Sequence, residues 1–293
     1  MGRGDLSDEE WARLEPHLPT HRGRGGRWQC HRRVINGILF RQRTGLPWRD
    51  LPSHFGKWKT VYDRHRRWSA DGTWERILRA VQTDADAEGR IDWSMVSIDS
   101  TTCRAHQHAA GAANGAPKVP GQRGQPARHR SGEALGRSRG GLTCKIHLAG
   151  EGGRHPLGFV ITPGQWGDAP QMIPVLEEIR VPRQAGGRPR TRPDHVGGDK
   201  AYSSRRNRRH LRRRQIKHTI PEPRDQRANR QRRGSQGGRP TGFDKTLYRR
   251  RNEVERTINR LKNFRAVATR YDKRAYVFHG TVAVAAIRLW LRS

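Results

Sequence analysis

Apolar residues recur at helical spacing through the first 85 residues. Ser7-Asp-Glu-Glu10 is a capping box that opens a short helix carrying Trp11 and Leu14. Val34, Ile35, Ile38 and Leu39 fall on one face of a predicted helix from His31 to Arg43, which Gly45 can end. Trp58, Val61, Tyr62, His65 and Trp68 do the same for a helix from about Lys57 to Ser69. After an Asp71-Gly72 turn, a fourth helix carries Trp74, Ile77, Leu78 and Val81. The acidic, polar segment from Thr83 to Arg90 is expected to be a linker.

Beyond residue 90 the pattern changes to short β-branched runs. Strands are predicted at Met95 to Asp99, Leu142 to Leu148, Pro156 to Thr162, His195 to Asp199 and about Lys217 to Ile220. Helices are predicted from about Ala169 to Ile179, after Asp199 in an Arg-rich run, at about 246–263, and from about Val277. Residues 109–140 and 224–242 are rich in Gly and Arg and are expected to be flexible loops. This order implies an α/β fold with an all-α unit at 1–85 ahead of a second domain at 91–293.

Composition adds a partner. The chain has 293 residues and a formal net charge of +33, with nine Lys and fifty-one Arg among its 60 basic residues. A field that positive suits a nucleic acid. Lys57, Lys59, Arg64, Arg66 and Arg67 cover the polar side of the third helix, as in a helix-turn-helix DNA reader. The alternative is a plain helical bundle whose charges face water. Cys30, Cys103 and Cys144 form no CxxC pair, so neither a disulfide nor a structural zinc is expected. His106 and His108 are read as surface residues rather than metal ligands. No segment approaches the ~20 apolar residues of a membrane span. The stretch from Thr281 to Leu291 is short and carries Arg288, so it is expected to be a core helix. The N-terminus shows no secretory pattern, and a cytoplasmic, nucleoid-associated protein is expected.

Phosphodiester chemistry needs hard oxygen ligands for Mg²⁺, so acids at strand ends stand out in a chain with only 27 of them. Asp99 and Asp199 each close an apolar strand, a position that helix caps and turn formers also occupy. The third acid comes with a pattern: Tyr248, Arg251, Glu255 and Lys262 are spaced Y-x2-R-x3-E-x6-K, which places them on one face of a helix. Leu247, Val254, Ile258 and Leu261 form a separate apolar stripe, and Glu253 points away from the polar face. An exposed helix with ordinary ion pairs is the plainer alternative.

This helix signature resembles that of bacterial insertion-sequence transposases of the DDE type, and more narrowly the insertion-sequence-five family. Ile98-Asp-Ser-Thr101, Arg104-Ala-His-Gln-His108, Gly136-Arg-Ser-Arg-Gly-Gly141, Thr162-Pro-Gly-Gln165 and Gly198-Asp-Lys-Ala-Tyr202 also match, as do Leu6-Ser-Asp-Glu-Glu-Trp11 and Gly45-Leu-Pro-Trp-Arg-Asp-Leu-Pro52. The resemblance implies an RNase H-like catalytic core, a mixed sheet flanked by helices, with Asp99, Asp199 and Glu255 as catalytic metal ligands. It implies two Mg²⁺ ions per site, with Mn²⁺ as a substitute, and double-stranded DNA partners: terminal inverted repeats and a target site. Two DNA ends imply at least a homodimer. Tyr248, Arg251 and Lys262 are expected to meet the DNA strand. The rival expectations are an RNase H-like nuclease or resolvase that cuts without joining, and a catalytically silent DNA-binding descendant.

Overall fold

The computed structural model describes residue 2 and residues 4–20, 30–112, 132–138 and 140–292. The helices of the first part are α1 (Asp8–Leu14), α2 (His31–Thr44), α3 (Trp58–Ala70) and α4 (Thr73–Ala87). In α1 the capping box forms: Glu10 N donates to Ser7 Oγ at 3.1 Å and Ser7 N to Glu10 Oε2 at 2.7 Å. Gly45 ends α2 in the left-handed region, φ 73°, where a side chain would also press on Arg265 and Tyr271. The expected linker from Thr83 is helical instead, because α4 runs on to Ala87. Its polar residues are used: Asp84 meets His17 at 2.6 Å and Asp86 accepts from Trp93 Nε1 at 2.6 Å.

The strands are β1 (Val96–Ala105), β2 (Gly136–Ser138), β3 (Gly141–Glu151), β4 (Pro156–Pro163), β5 (His195–Gly198), β6 (Lys217–Thr219) and β7 (Thr269–Arg270). In the sheet, β4 pairs with β3, β3 with β1, β1 with β5 and β5 with β6; the first two pairings are antiparallel and the last two parallel. Short β2 and β7 extend the ladders of β3 and β1. A meander of three antiparallel strands followed by two parallel ones on the far side of β1 is the RNase H-like arrangement. Helices α5 (Gln107–Ala110), α6 (Met172–Glu177), α7 (Arg205–Arg213), α8 (Arg224–Arg232), α9 (Lys245–Arg249), α10 (Asn252–Lys262), α11 (Arg265–Ala268) and α12 (Ala275–Leu291) complete the chain.

Three expectations change here. The 224–242 segment contains α8 rather than being wholly loop. Of the 109–140 loop, residues 113–131 and 139 lie outside the described residues; residues 132–138 are tied down, with buried Glu133 bonded to Arg274 at 2.6 Å and to Ala275 N at 2.7 Å. The helix expected over 246–263 is broken between α9 and α10. There, successive three-residue hydrogen bonds replace the α-helical ladder, while Arg250 reaches out to Asp92 at 2.6 Å and Ser94 at 3.1 Å.

The core is continuous across both parts. Helix α12 is apolar around its circumference and buried nearly throughout, packing on α3, α4, α10 and β4. Gly280 lets it approach α3 closely: an added Cβ would fall 2.0 Å from Ser69 Oγ. The Pro156 carbonyl at the start of β4 accepts from Gln82 of α4 at 3.0 Å and from Trp290 of α12 at 2.8 Å. The charge within α12, Arg288, is buried against Glu10 of α1 and the Asp5 carbonyl. Among the described residues no helix is long and apolar enough to cross a membrane.

Candidate functional site

Asp99 lies within β1, not at its end, since the strand continues to Ala105. The register of the parallel strands β1 and β5 pairs Ile98 with Gly198, so Asp99 on β1 and Asp199, just past the end of β5, each follow that last pair. Such strands lie about 4.8 Å apart. Asp199 caps the turn after β5, its Oδ1 accepting from Ala201 N at 2.8 Å. Asp99 Oδ1 accepts from Ser100 N at 2.8 Å.

The third acid arrives from α10, whose Val254, Ile258 and Leu261 are buried. That docking turns Glu255 and Lys262 toward β1. One guanidinium ties the cluster: Arg251 donates to Asp99 Oδ2 at 3.2 Å and also bonds Glu255. Lys262 Nζ donates to Thr101 Oγ1 at 3.2 Å, two residues along β1 from Asp99 and on the same strand face. Burial raises the pKa of Asp99, and the charges of Asp199 and Glu255 add to the effect; the Ser100 N–H and Arg251 oppose it. Burial works against the charge on Arg251, but Glu255 and Asp99 outweigh it and hold the guanidinium protonated.

The acids offer the hard oxygens that Mg²⁺ prefers. Among the described residues no group of three or more His, Cys, Asp or Glu side chains stands close enough to hold an ion. Arg251 supplies the positive charge between Asp99 and Glu255. The donor chemistry of the three acids fits a divalent cation.

Tyr248 sits on α9, across the helix break from the other three members of its motif. Its ring packs on Phe243, 5.1 Å between centroids, with Arg251 5.8 Å away. Glu253 pairs with Arg250 at 3.2 Å. On α3, Lys57, Lys59 and Arg67 are exposed and Arg66 is half-buried beside Asp63. Arg64 does not join them, contrary to its expected place on the polar face. It is buried over the Trp68 ring and bonded to His31 at 2.9 Å. A second basic surface comes from α7, where Arg205, Arg206, Arg209, Arg212 and Arg213 are exposed.

One acid beside the site went unnoticed in the sequence. Asp168, five residues past β4, accepts from Ser100 Oγ at 2.8 Å and Lys145 Nζ at 3.0 Å. It lies on no strand end and carries no spacing pattern; its signal was only that it closely follows the matching Thr162-Pro-Gly-Gln165 stretch. His147, on β3, lies 3.6 Å from Asp168, yet burial lowers its pKa to about 4 and it stays neutral. Burial pushes the Tyr202 hydroxyl well up, reinforced by Asp168, Asp99 and Asp199. The cysteines Cys103 and Cys144, distant in sequence, face each other across β1 and β3 as free thiols.

A sheet of this order, with one acid on β1, another just past β5 and a third on a late helix, is an RNase H-like fold. Residues 94–290 match the transposase DDE domain model and residues 6–78 match a putative transposase of the IS4/5 family, so the chain belongs to the insertion-sequence DDE transposases. It is similar to a putative transposase for insertion sequence element IS6501 of Brucella ovis, 30% identical over 151 residues, 52% of this chain and 100% of that one. It is also similar to a putative transposase for IS402 of Burkholderia cepacia, 31% identical over 136 residues, 46% of this chain and 56% of that one. An uncharacterized protein of Sinorhizobium fredii is 38% identical over 108 residues, 36% of this chain and 82% of that one. Among solved structures, a pre-cleavage Mos1 transpososome aligns with a TM-score of 0.26 at 11% identity, covering 94% of this chain and 81% of that one.

Proposed function

We propose that this chain binds the terminal inverted repeats of its own element in double-stranded DNA, hydrolyses a phosphodiester to free a 3′-OH, and joins that end to a target site. The observation that carries this is the placement of Asp99 on β1 and Asp199 just past the parallel strand β5, with Glu255 of α10 brought to the guanidinium that bonds Asp99. Asp99, Asp199 and Glu255 would hold two Mg²⁺ ions, with Mn²⁺ able to replace them. When bound, the ions supply an activated water and charge stabilisation at the leaving oxygen.

The chain's own residues do the rest. Arg251 keeps two acids oriented until a metal takes over their charge. Lys262 and Tyr248 stand at the two ends of the motif to meet the DNA strand, one as a cation and the other as a hydroxyl and stacking ring. The exposed cations of α3 take phosphates of the repeat. Two ends must be handled together, so the working form is a homodimer or larger on DNA, at the nucleoid.

Incubating the chain with DNA carrying its repeats, a target plasmid and Mg²⁺ tests this reading. The expected products are new 3′-OH ends and joined molecules. Cleavage without joining makes the chain a nuclease or resolvase. Binding without cleavage, even with Mn²⁺, makes it a silent DNA-binding descendant.

A further inference from the structure

Helix α7 carries its charge on one side. Arg205, Arg206, Arg209, Arg212 and Arg213 are exposed at i, i+1, i+4, i+7 and i+8, while Asn207, His210 and Leu211 are buried on the other side. Among the described residues no acid stands within ion-pair distance of any of the five; Arg212 Nε donates only to the Arg208 carbonyl of the same helix, at 3.4 Å. Arg208 itself turns inward, to Ser203 Oγ at 3.0 Å and the Ile220 carbonyl at 2.9 Å. The outward row does nothing for the fold. Like charges one turn apart weaken a helix, and cations in a first turn face the positive end of its dipole. That first turn holds no acid to offset Arg205 and Arg206. The field reaches the packed side as well: burial lowers the pKa of His210, and Arg214, Arg213 and Arg206 lower it further, against Glu177.

The row is fastened to the acids. Arg205 follows Asp199 by six residues, and Ser204 Oγ caps the helix by accepting from Asn207 N at 3.1 Å. Asn207 Nδ2 donates to the Tyr202 carbonyl at 3.0 Å and to the Ala169 carbonyl at 2.9 Å. Tyr202 closes the turn that Asp199 opens, and Ala169 adjoins Asp168, which bonds Ser100 beside Asp99. The same bonds fix the side of the sheet on which α7 lies. Asp168 reaches Ser100, while Lys262 of α10 reaches Thr101, and neighbouring residues of a strand point to opposite faces. Helix α7 therefore stands with Asp168 and α6 on one face, and α10 on the other; α3 packs on α12, which packs on α10. The cations of α3 and the row on α7 lie on opposite sides of the sheet that carries Asp99.

We propose that the arginine face of α7 holds the target duplex by its phosphates while the cut end is joined to it. The inference deepens the DNA-cutting reading and rests on it. A cut at the end of a repeat leaves the element's own DNA on the α3 side of the acids and foreign DNA beyond them, on the α7 side. In the joining step the 3′-oxygen of the cut end bonds a target phosphorus, and the bond from that phosphorus to the target's own 3′-oxygen breaks. The proton lost by the attacking hydroxyl is matched by the one the leaving oxygen gains. The row asks nothing of that chemistry except that the target stay in place. From Arg205 to Arg213 it runs about 12 Å along the helix, enough for about three successive phosphates of one strand at about 3.4 Å each. Guanidiniums grip phosphate oxygens bidentately, and such contacts fix position without reading sequence. That suits DNA whose sequence differs at every insertion.

The test compares the full chain with a triple variant, Arg205→Gln, Arg209→Gln and Arg213→Gln, whose fold is checked by circular dichroism. In EDTA, where nothing is cut, the chain is saturated with unlabelled repeat duplex and titrated with labelled duplex that lacks the repeat. Anisotropy at several salt concentrations is expected to show capture by the unmodified chain. In the triple variant the log–log salt slope of that capture is expected to fall by about 2.7, or about 0.9 for each cation removed, with repeat affinity held within about twofold. Arg209→Gln alone, with a fall of about 0.9, carries the test where the triple variant does not fold. With Mg²⁺ and pre-cut ends, joining to a plasmid is expected to drop at least about tenfold, while cleavage of uncut repeats with long flanks keeps its rate. Slower cleavage of long-flanked but not short-flanked repeats assigns the row to the donor flank, and an equal loss of repeat binding assigns it to the element; either overturns the proposal. An unchanged slope, or unchanged joining, in a folded variant does so too. A chain that cuts and joins without need of α7 loses only this surface. A chain that captures unrelated duplex through α7 in EDTA but never cuts loses only the cleavage reading.

Discussion

Asp99 meets Arg251, at 3.2 Å, through the same guanidinium that bonds Glu255. The pairing links an acid on the central strand to an acid one helical turn beyond the arginine. It favours one of two proposed roles for Arg251. An arginine committed to two acids positions them, while one reserved for DNA would face outward. Arg251→Lys keeps the charge and loses the planar fork. The expected outcome is a higher Mg²⁺ requirement for cleavage with unchanged gel-shift affinity for pre-cut ends. Weaker end binding at an unchanged Mg²⁺ requirement would assign Arg251 to the phosphates instead.

Removing an acid is expected to stop the chemistry without stopping binding. Asp99→Asn, Asp199→Asn and Glu255→Gln should each lower the cleavage rate by roughly a thousandfold, the loss of several kcal/mol of charge stabilisation. Glu253→Gln, whose side chain is occupied with Arg250, should fall by less than about tenfold. A labelled-end cleavage assay ranks the four. Parity between Glu253→Gln and Glu255→Gln would show that the register of α10 has been misassigned.

The cations of α3 divide into two kinds. Alanine at Lys57, Lys59 or Arg67 should flatten the salt dependence of repeat binding by about 0.9 in log–log slope for each phosphate left without its cation. Arg64→Ala should leave the slope alone and lower the melting temperature, because its guanidinium is packed on Trp68. Titrations at several salt concentrations, with melting curves alongside, separate the two. A reduced slope in Arg64→Ala would contradict its burial.

His65 makes stability depend on pH. It is fully buried, bonded to Thr281 at 3.1 Å, and burial lowers its pKa to about 4 from an ordinary 6.5. Neutral in the fold and protonated when unfolded, it contributes stability in full above pH 6.5. That contribution is lost as pH falls toward 4, to an order of 3 kcal/mol. His65→Gln cannot titrate, so its stability deficit relative to the parent should shrink between pH 7 and pH 5. Urea midpoints at both values measure it; a constant deficit would mean that His65 titrates in the fold as it does in the unfolded chain.

Much of the architecture was legible because periodicity reports burial. Strands with β-branched runs and the faces of α2, α3 and α4 followed from that rule. What escaped depends on partners far along the chain. Thr83 to Ala87 is polar enough to pass for a linker, yet Asp84 and Asp86 meet His17 and Trp93. The 246–263 helix is continuous by spacing and is broken where Arg250 and Arg251 turn to Asp92 and Asp99. Arg64 lies on a charged face by sequence and is drawn inward by His31 and Trp68. Asp168 carries no pattern at all; the fold alone brings it to Ser100 and Lys145.

The burial of α12 between α3, α4 and β4 has a consequence for the order of assembly. Roughly 190 residues separate the end of α4 from the start of α12. During synthesis the first helices therefore leave the ribosome long before the surface that covers them exists. Their apolar faces must wait, and closure is a non-local event of the kind that slows folding. A nascent or interrupted chain accordingly leaves the apolar faces of α3 and α4 uncovered. On the proposed reading, the capacity to recognise an element's ends would be acquired only once the sheet and the last helix are in place.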